Sequence, residues 1–283
     1  MNDLKEWMNA PDMLCETRGS LTMHLLPSPF RNDLVAALDR IDDVIASGRM
    51  KKDSKNVQAS IVELNGREFF FKRTNNKGLR HTFRYLFRPA RSYRAAYAAE
   101  RLRAAGLPTP RVWAAGERKR GPYLIGSYLV TEALSGVRPA SDFLSDDPKA
   151  AESPERILKA AGRLLRGLHS DGFYHGDLKL SNLYLENRER LGFWDLDSVR
   201  IFPQEPPRKW ILRDLGRVLS SFLIEFDRNP AADAGIFDVA ELASCLCLAY
   251  GAAHAVDPDD VIAVARERWL SKCELRHSLG GMP

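Results

Sequence analysis

Apolar positions recur at two different periods, and the change between them divides the chain. Over residues 31–46, Leu34, Leu38, Ile41 and Ile45 fall at helical spacing. A polar stretch, 51–56, comes next. Residues 57–64 read as a strand, Asn65-Gly66 supplies a two-residue hairpin turn, and the Phe-rich segment 67–73 returns. An Ala-rich helix is predicted over 91–105, stopped by Gly106 with Pro108 and Pro110 beyond it. Two more strands lie near 111–115 and 123–131. After Ser135-Gly136 the character changes. A helix over 154–171 carries Ile157, Ala161, Leu164, Leu165 and Leu168 on one face. A loop at 172–182, short strands at 183–186 and 191–194, and helices over 211–226, 237–250 and 258–270 complete the chain. Strands dominate the first half and helices the second. That order predicts an α+β protein with a sheet-rich lobe over 1–133 and a helical lobe over 134–283.

Composition narrows the partners. The 283 residues are 45% hydrophobic and 28% charged, an ordinary globular balance long enough for two lobes around a cleft. The net charge of +5 favours an anionic partner: nucleic acid, an acidic membrane or a phosphorylated substrate. Cys15, Cys245, Cys247 and Cys273 have neither metal-ligand spacing nor a dense disulfide pattern, which predicts reduced thiols. The N-terminus carries acids and lacks the apolar core of a signal peptide. No segment approaches the roughly 20 apolar residues of a membrane span. A cytoplasmic protein is expected, with a membrane surface still open to it.

The chemistry concentrates in His175-Gly176-Asp177-Leu178-Lys179-Leu180-Ser181-Asn182. Phosphoryl transfer to an alcohol needs a carboxylate at the attacking hydroxyl and, five residues on in the same loop, an amide facing a metal ion on the phosphates. Asp177 and Asn182 have that spacing, and Lys179 can reach the transferring group. The structural alternative is a polar loop whose Asp and Asn only make turns. Asp195, after the short strand Gly192-Phe193-Trp194, fits a metal-binding carboxylate, since Mg²⁺ takes one or two carboxylates plus phosphates. Asp197 is a second metal contact or a structural hydrogen-bonding group. Lys72 shares a strand face with Phe70 and can hold nucleotide phosphates. Glu100 lies in the stripe Tyr93, Ala96, Tyr97, Glu100, Ala104, where a charge needs a partner, and Lys72 is the candidate. Both could instead be solvated. Asp214 either caps a helix or ties back to the catalytic loop. Residues 72–94 hold eight Lys or Arg and no acid, interleaved with Phe83, Tyr85, Phe87 and Tyr93. Such a segment suits an anionic membrane interface, a phosphorylated glycolipid or nucleic acid, or is a solvated helix face.

Together these residues resemble the bacterial lipopolysaccharide kinases, the group of core-heptose and Kdo kinases. The matching pieces run from about Arg67 to Leu219: Phe71-Lys72-Arg73, Arg88-Pro89-Ala90-Arg91-Ser92, Gly106-Leu107-Pro108-Thr109-Pro110, His175-Gly176-Asp177, Asp195-Leu196-Asp197 and Arg213-Asp214-Leu215. The resemblance implies a bilobal protein-kinase-like fold and transfer of the γ-phosphate of ATP to a sugar hydroxyl of the lipopolysaccharide inner core. It implies catalytic Asp177 and Lys179, Mg²⁺ on Asn182 and Asp195, and nucleotide contacts from Lys72, Glu100, Glu132, Leu134 and Leu185. The expected partner is the anionic core glycolipid rather than nucleic acid. Residues 78–94 would dock on the cytoplasmic face of the inner membrane.

Two departures from protein kinases stand out. The nucleotide-covering loop, expected within 47–57, has no Gly-rich run and leaves phosphate cradling to Lys51, Lys52 or Ser54. Gly176 replaces the Arg that reads activation-loop phosphorylation, and no Ala-Pro-Glu follows Asp195. A small-molecule phosphotransferase of the aminoglycoside or choline type, an atypical Ser/Thr protein kinase and a catalytically dead binding module are the alternatives.

Overall fold

The computed structural model describes residues 2–76, 88–142, 155–187, 190–226, 238–251 and 256–278. It divides into two compact units, Met1–Ala104 with Pro110–Ser135, and Ala105–Thr109 with Gly136–Pro283. The fold class is α+β, with strands concentrated in the first unit and helices in the second.

In the first unit, a helix α1 (Asn2–Met8) precedes the hairpin β1 (Leu14–Arg18) and β2 (Leu21–Leu25). Helix α2 (Arg31–Ala37), a 3₁₀ turn and helix α3 (Ile41–Ser47) come next, then strands β3 (Arg49–Asp53), β4 (Val57–Leu64) and β5 (Arg67–Asn75). Helix α4 (Arg91–Ala104), β6 (Val112–Arg120) and β7 (Tyr123–Glu132) complete it. The sheet has seven strands in the order β1-β2-β6-β7-β5-β4-β3, each neighbouring pair antiparallel.

Period-two alternation decides what each sheet face meets. Leu21, Met23, Leu25, Phe69 and Phe71 point to one side, where Leu34, Leu38, Ile41 and Ile45 of the helical segment close the core. Asp42 fixes that segment to the sheet. It accepts from Arg73 and from the Tyr128 hydroxyl, both at 3.0 Å, and from Arg118. His24, on the opposite face from Met23, meets the hydroxyl of Tyr93 on α4 through Nδ1 at 3.1 Å. Helix α4 therefore covers the face to which Lys72, next to Phe71, also points.

The N-terminal hairpin and β3 were not expected from sequence. Strand β3 is exposed at every residue, so it carries no apolar alternation to read. It occupies the expected nucleotide-loop region, and Ser54 closes its turn into β4 with an Oγ bond to the Val57 carbonyl at 3.1 Å.

In the second unit, β8 (Val137–Pro139), β10 (Leu183–Glu186) and β11 (Arg190–Phe193) form a three-stranded sheet, and β9 (Phe173–Tyr174) pairs with β12 (Arg200–Ile201). Helix α5 (Glu155–Ser170) buries Ile157, Leu158, Ala161, Leu165 and Leu168, the stripe its spacing predicts with Leu164 at its edge. Helices α6 (Arg208–Phe226), α7 (Val239–Tyr250) and α8 (Pro258–Ser278) complete the unit. Helix α5 packs on α7, and α6 on α8.

Candidate active site

Helix α5 delivers the chain to the loop. Its last turn buries His169, whose Nδ1 meets the Tyr250 hydroxyl at 3.1 Å and whose Nε2 lies 3.5 Å from Asp214. Pairing of β9 with β12 then holds Phe173 and Tyr174 in the core. His175 is fully buried, and burial lowers its pKa against the opposing pull of Asp214, Asp195 and Asp177. Asp214, itself 0% exposed, accepts the backbone N–H of His175 at 2.8 Å and of Gly176 at 3.2 Å. It lies in the second turn of α6, which begins at Arg208, so it is no cap. Of the two roles open in the sequence, it takes the tie to the loop.

Asp177 is 43% exposed, a carboxylate presented to solvent by a buried frame. The Asn182 amide donates to the Asp177 carbonyl at 2.7 Å and to its Oδ2 at 3.3 Å. Both donor contacts use Nδ2, so an oxygen ligand from Asn182 would have to be Oδ1. Lys179 Nζ stands 3.9 Å from Asp177 Oδ2. The Trp194 N–H donates to the Asn182 carbonyl at 3.2 Å, and its indole to the Ser181 carbonyl at 2.8 Å. Those bonds bring the residue before Asp195 against Asn182. Asp195 itself is exposed and left-handed, at φ 58°, ahead of the 3₁₀ turn that holds Asp197. An amide oxygen beside one exposed carboxylate suits Mg²⁺, which completes its shell with phosphates and water.

The remaining expected residues are placed as follows. Lys72 is half-buried on β5, opposite Ala59 and Leu129. Glu100 is half-buried on α4, and burial raises its pKa while Arg103 and Arg111 lower it. Among the described residues, Arg103 and Arg111 are the cations that act on Glu100. Glu132 ends β7 with its carboxylate accepting the Arg111 N–H at 2.6 Å, 3.8 Å from Arg103. Leu134 is half-buried just beyond it, and Leu185 is 2% exposed in the middle of β10. In the membrane-docking segment 78–94, residues 78–87 lie outside the described residues; Arg88 is exposed and Arg91 half-buried. Among the described residues, no helix is long and apolar enough to cross a membrane.

An antiparallel sheet in the first unit and a mainly helical second unit that carries Asp177, Asn182 and Asp195 make up an α+β fold of the protein-kinase-like class. A solved structure described as "WaaP in complex with acyl carrier protein" shares that fold, with a TM-score of 0.51 over 81% of this chain and 96% of that one, at 22% identity. The chain matches the Lipopolysaccharide kinase (Kdo/WaaP) family over residues 38–242 and belongs to that family. Two relatives named 3-deoxy-D-manno-octulosonic acid kinase are similar to it. The Vibrio cholerae serotype O1 protein is 28% identical over 132 residues, 47% of this chain and 53% of the relative. The Vibrio parahaemolyticus serotype O3:K6 protein is 26% identical over 118 residues, 42% of this chain and 46% of the relative. The chain thus spans about half the length of these curated relatives.

Proposed function

We propose that this chain is an ATP-dependent kinase that phosphorylates a sugar hydroxyl, on heptose or Kdo, of the lipopolysaccharide inner core. The observation that carries the reading is the Asp177–Asn182 arrangement on a loop anchored by Asp214, in a chain of this family. The relatives named as Kdo kinases support the acceptor class. Asp177 accepts the proton of the attacking hydroxyl, and Lys179 steadies the transferring phosphoryl group. Asn182 and Asp195 would hold Mg²⁺, which would neutralise charge on the phosphates. Lys72 holds the phosphates of ATP, with Glu100 positioning it once nucleotide is bound. Glu132, Leu134 and Leu185 complete the nucleotide contacts. Arg88 and Arg91 contribute to docking on an anionic membrane surface, with the docked protein on the cytoplasmic face of the inner membrane.

The test is transfer from γ-labelled ATP to deacylated inner-core oligosaccharide by the purified chain, with the phosphorylated sugar located by mass spectrometry. Label on heptose or Kdo, lost in Asp177→Ala, is the expected result. A general base contributes about 10²–10⁴ in rate, so residual turnover should lie that far below wild type. Wild-type turnover in Asp177→Ala, or label carried only to an aminoglycoside, choline or a protein, would overturn the assignment.

A further inference from the structure

The second unit gathers three cations on one indole ring, and the phosphoryl-transfer roles above leave them unused. Pairing of β12 with β9 sets Arg200 opposite Tyr174. The Tyr174 ring packs on Trp210, with centroids 4.8 Å apart. Arg200 stands 4.9 Å from the Trp210 ring centroid, Arg213 5.2 Å and Lys209 5.4 Å. Lys209 and Arg213 are one helical turn apart on α6, so they share a side of that helix. The ring holds all three by cation–π attraction while each of them stays exposed to solvent.

Like charges gathered on one ring repel one another. Among the described residues, none of these three pairs with a carboxylate. Two acids close by in the chain are engaged elsewhere: Glu205 meets Arg166 at 2.7 Å, and Asp214 accepts the N–H groups of His175 and Gly176. Asp260 is taken by Arg208, the residue before Lys209. The first turn of α6 carries no acid. A helix macrodipole favours acids at that end and disfavours cations, so Lys209 there costs stability rather than adding it. The patch therefore presents uncompensated positive charge to solvent, and the helix end reinforces it.

The place of the patch gives it a use. Tyr174 lies three residues ahead of Asp177 in the chain. Arg213 directly precedes Asp214, whose carboxylate fixes His175 and Gly176. A surface that the patch rests on is thus brought to the frame of the loop that presents Asp177. A core sugar still attached to its lipid stands at a membrane surface. Anionic headgroups there draw in basic side chains, and an indole is at home at headgroup level.

We propose that Arg200, Lys209 and Arg213, gathered on Trp210, form a docking surface for the anionic lipid headgroups of a bilayer, and that docking there offers a lipid-borne acceptor to the loop of Asp177. The surface belongs to the second unit and adds to Arg88 and Arg91 of the first. Its role in offering the acceptor rests on the kinase reading proposed above; its attraction for lipid rests on the uncompensated charge alone.

The test is co-sedimentation of the full chain with vesicles of phosphatidylcholine, alone or mixed with phosphatidylglycerol. Beside it, initial rates are measured on soluble deacylated inner-core oligosaccharide and on intact glycolipid embedded in the mixed vesicles. Wild type should bind the mixed vesicles and not phosphatidylcholine alone, and more weakly as salt rises. Joint replacement by Arg200→Gln, Lys209→Gln and Arg213→Gln should weaken that binding about a hundredfold, about fivefold for each cation. The rate on the soluble acceptor should match wild type, and the rate on the embedded acceptor should fall. Arg200→Lys, Lys209→Arg and Arg213→Lys together keep the charge and should bind as wild type does. Lys209→Gln alone, with a loss of about fivefold, serves if the triple variant does not fold. Unchanged vesicle affinity once the charges are removed overturns the docking surface. So does a raised KM for the soluble acceptor, which would make the patch a reader of the sugar itself. Absence of transfer by wild type to both acceptors overturns the kinase reading, while charge-dependent vesicle binding leaves the lipid surface standing.

Discussion

Asp214 on α6 holds the backbone of His175, 39 positions away in sequence, by accepting its N–H at 2.8 Å, and holds Gly176 the same way. The loop that presents Asp177 is therefore set by a buried anion rather than by its own turns. Replacing Asp214 with Ala orphans both donors, at about 1–3 kcal/mol each. We expect Asp214→Ala to lower the denaturant midpoint and turnover together. Asp214→Asn, which keeps one acceptor oxygen, should lose less of each.

Gly176 has a reason of its own. Its φ is +82°, and a Cβ there would lie 2.7 Å from the Ser198 carbonyl oxygen. A left-handed non-glycine residue costs roughly 1–2 kcal/mol before any clash. Gly176→Ala should therefore depress Tm and activity, and Gly176→Arg more so. A Gly176→Arg protein as stable and active as wild type would show that the loop does not need this conformation. The absent Arg, read in the sequence as a loss of phosphorylation control, is also forbidden by the backbone.

His175 gives the protein an acid-sensitive element. Its folded-state pKa is lowered, so between that value and the ordinary value of about 6.5 the unfolded chain binds more protons. The stability contributed by the neutral ring is fully present above about 6.5 and is lost as pH falls from there through the lowered value. His24, also lowered by burial, acts with the same sign. Urea midpoints should fall on acidification below about pH 6.5, and less steeply in His175→Leu. An unchanged slope in that variant would remove His175 from the account.

Glu100 separates stability from catalysis. Burial raises its pKa, so its charge costs stability above the ordinary carboxylate range. At pH 7, Glu100→Gln should melt at the same temperature as wild type or slightly higher, an advantage that disappears as pH falls toward about 4.3. Turnover should still fall if Glu100 positions Lys72 on bound ATP. Unaltered turnover would remove Glu100 from the nucleotide set.

Local signals in the sequence were dependable where they rest on backbone chemistry. Asn65 and Gly66 adopt φ of 49° and 77° in the turn between β4 and β5, and Gly106 stands at φ 76° past the end of α4. Spacing also marked out the stretch from His175 to Asn182 as a loop, which the structure forms and ties to Asp214. Features built from distant pieces were not legible. Strand β3 reads as polar, since an exposed edge strand needs no apolar face.

Residues Ala105–Thr109 belong with the second unit while the chain on both sides of them belongs with the first. The Pro108 carbonyl accepts the Phe193 N–H at 2.8 Å, two residues before Asp195. The polypeptide therefore passes between the units three times, and neither unit corresponds to one uninterrupted stretch of gene. A cut near residue 133 would not yield two transferable cassettes. The downstream fragment would lack the five-residue strip that braces the strand leading to Asp195. Recombination among members of this family would have to carry this strip along with the second unit, or rebuild its contact from new residues.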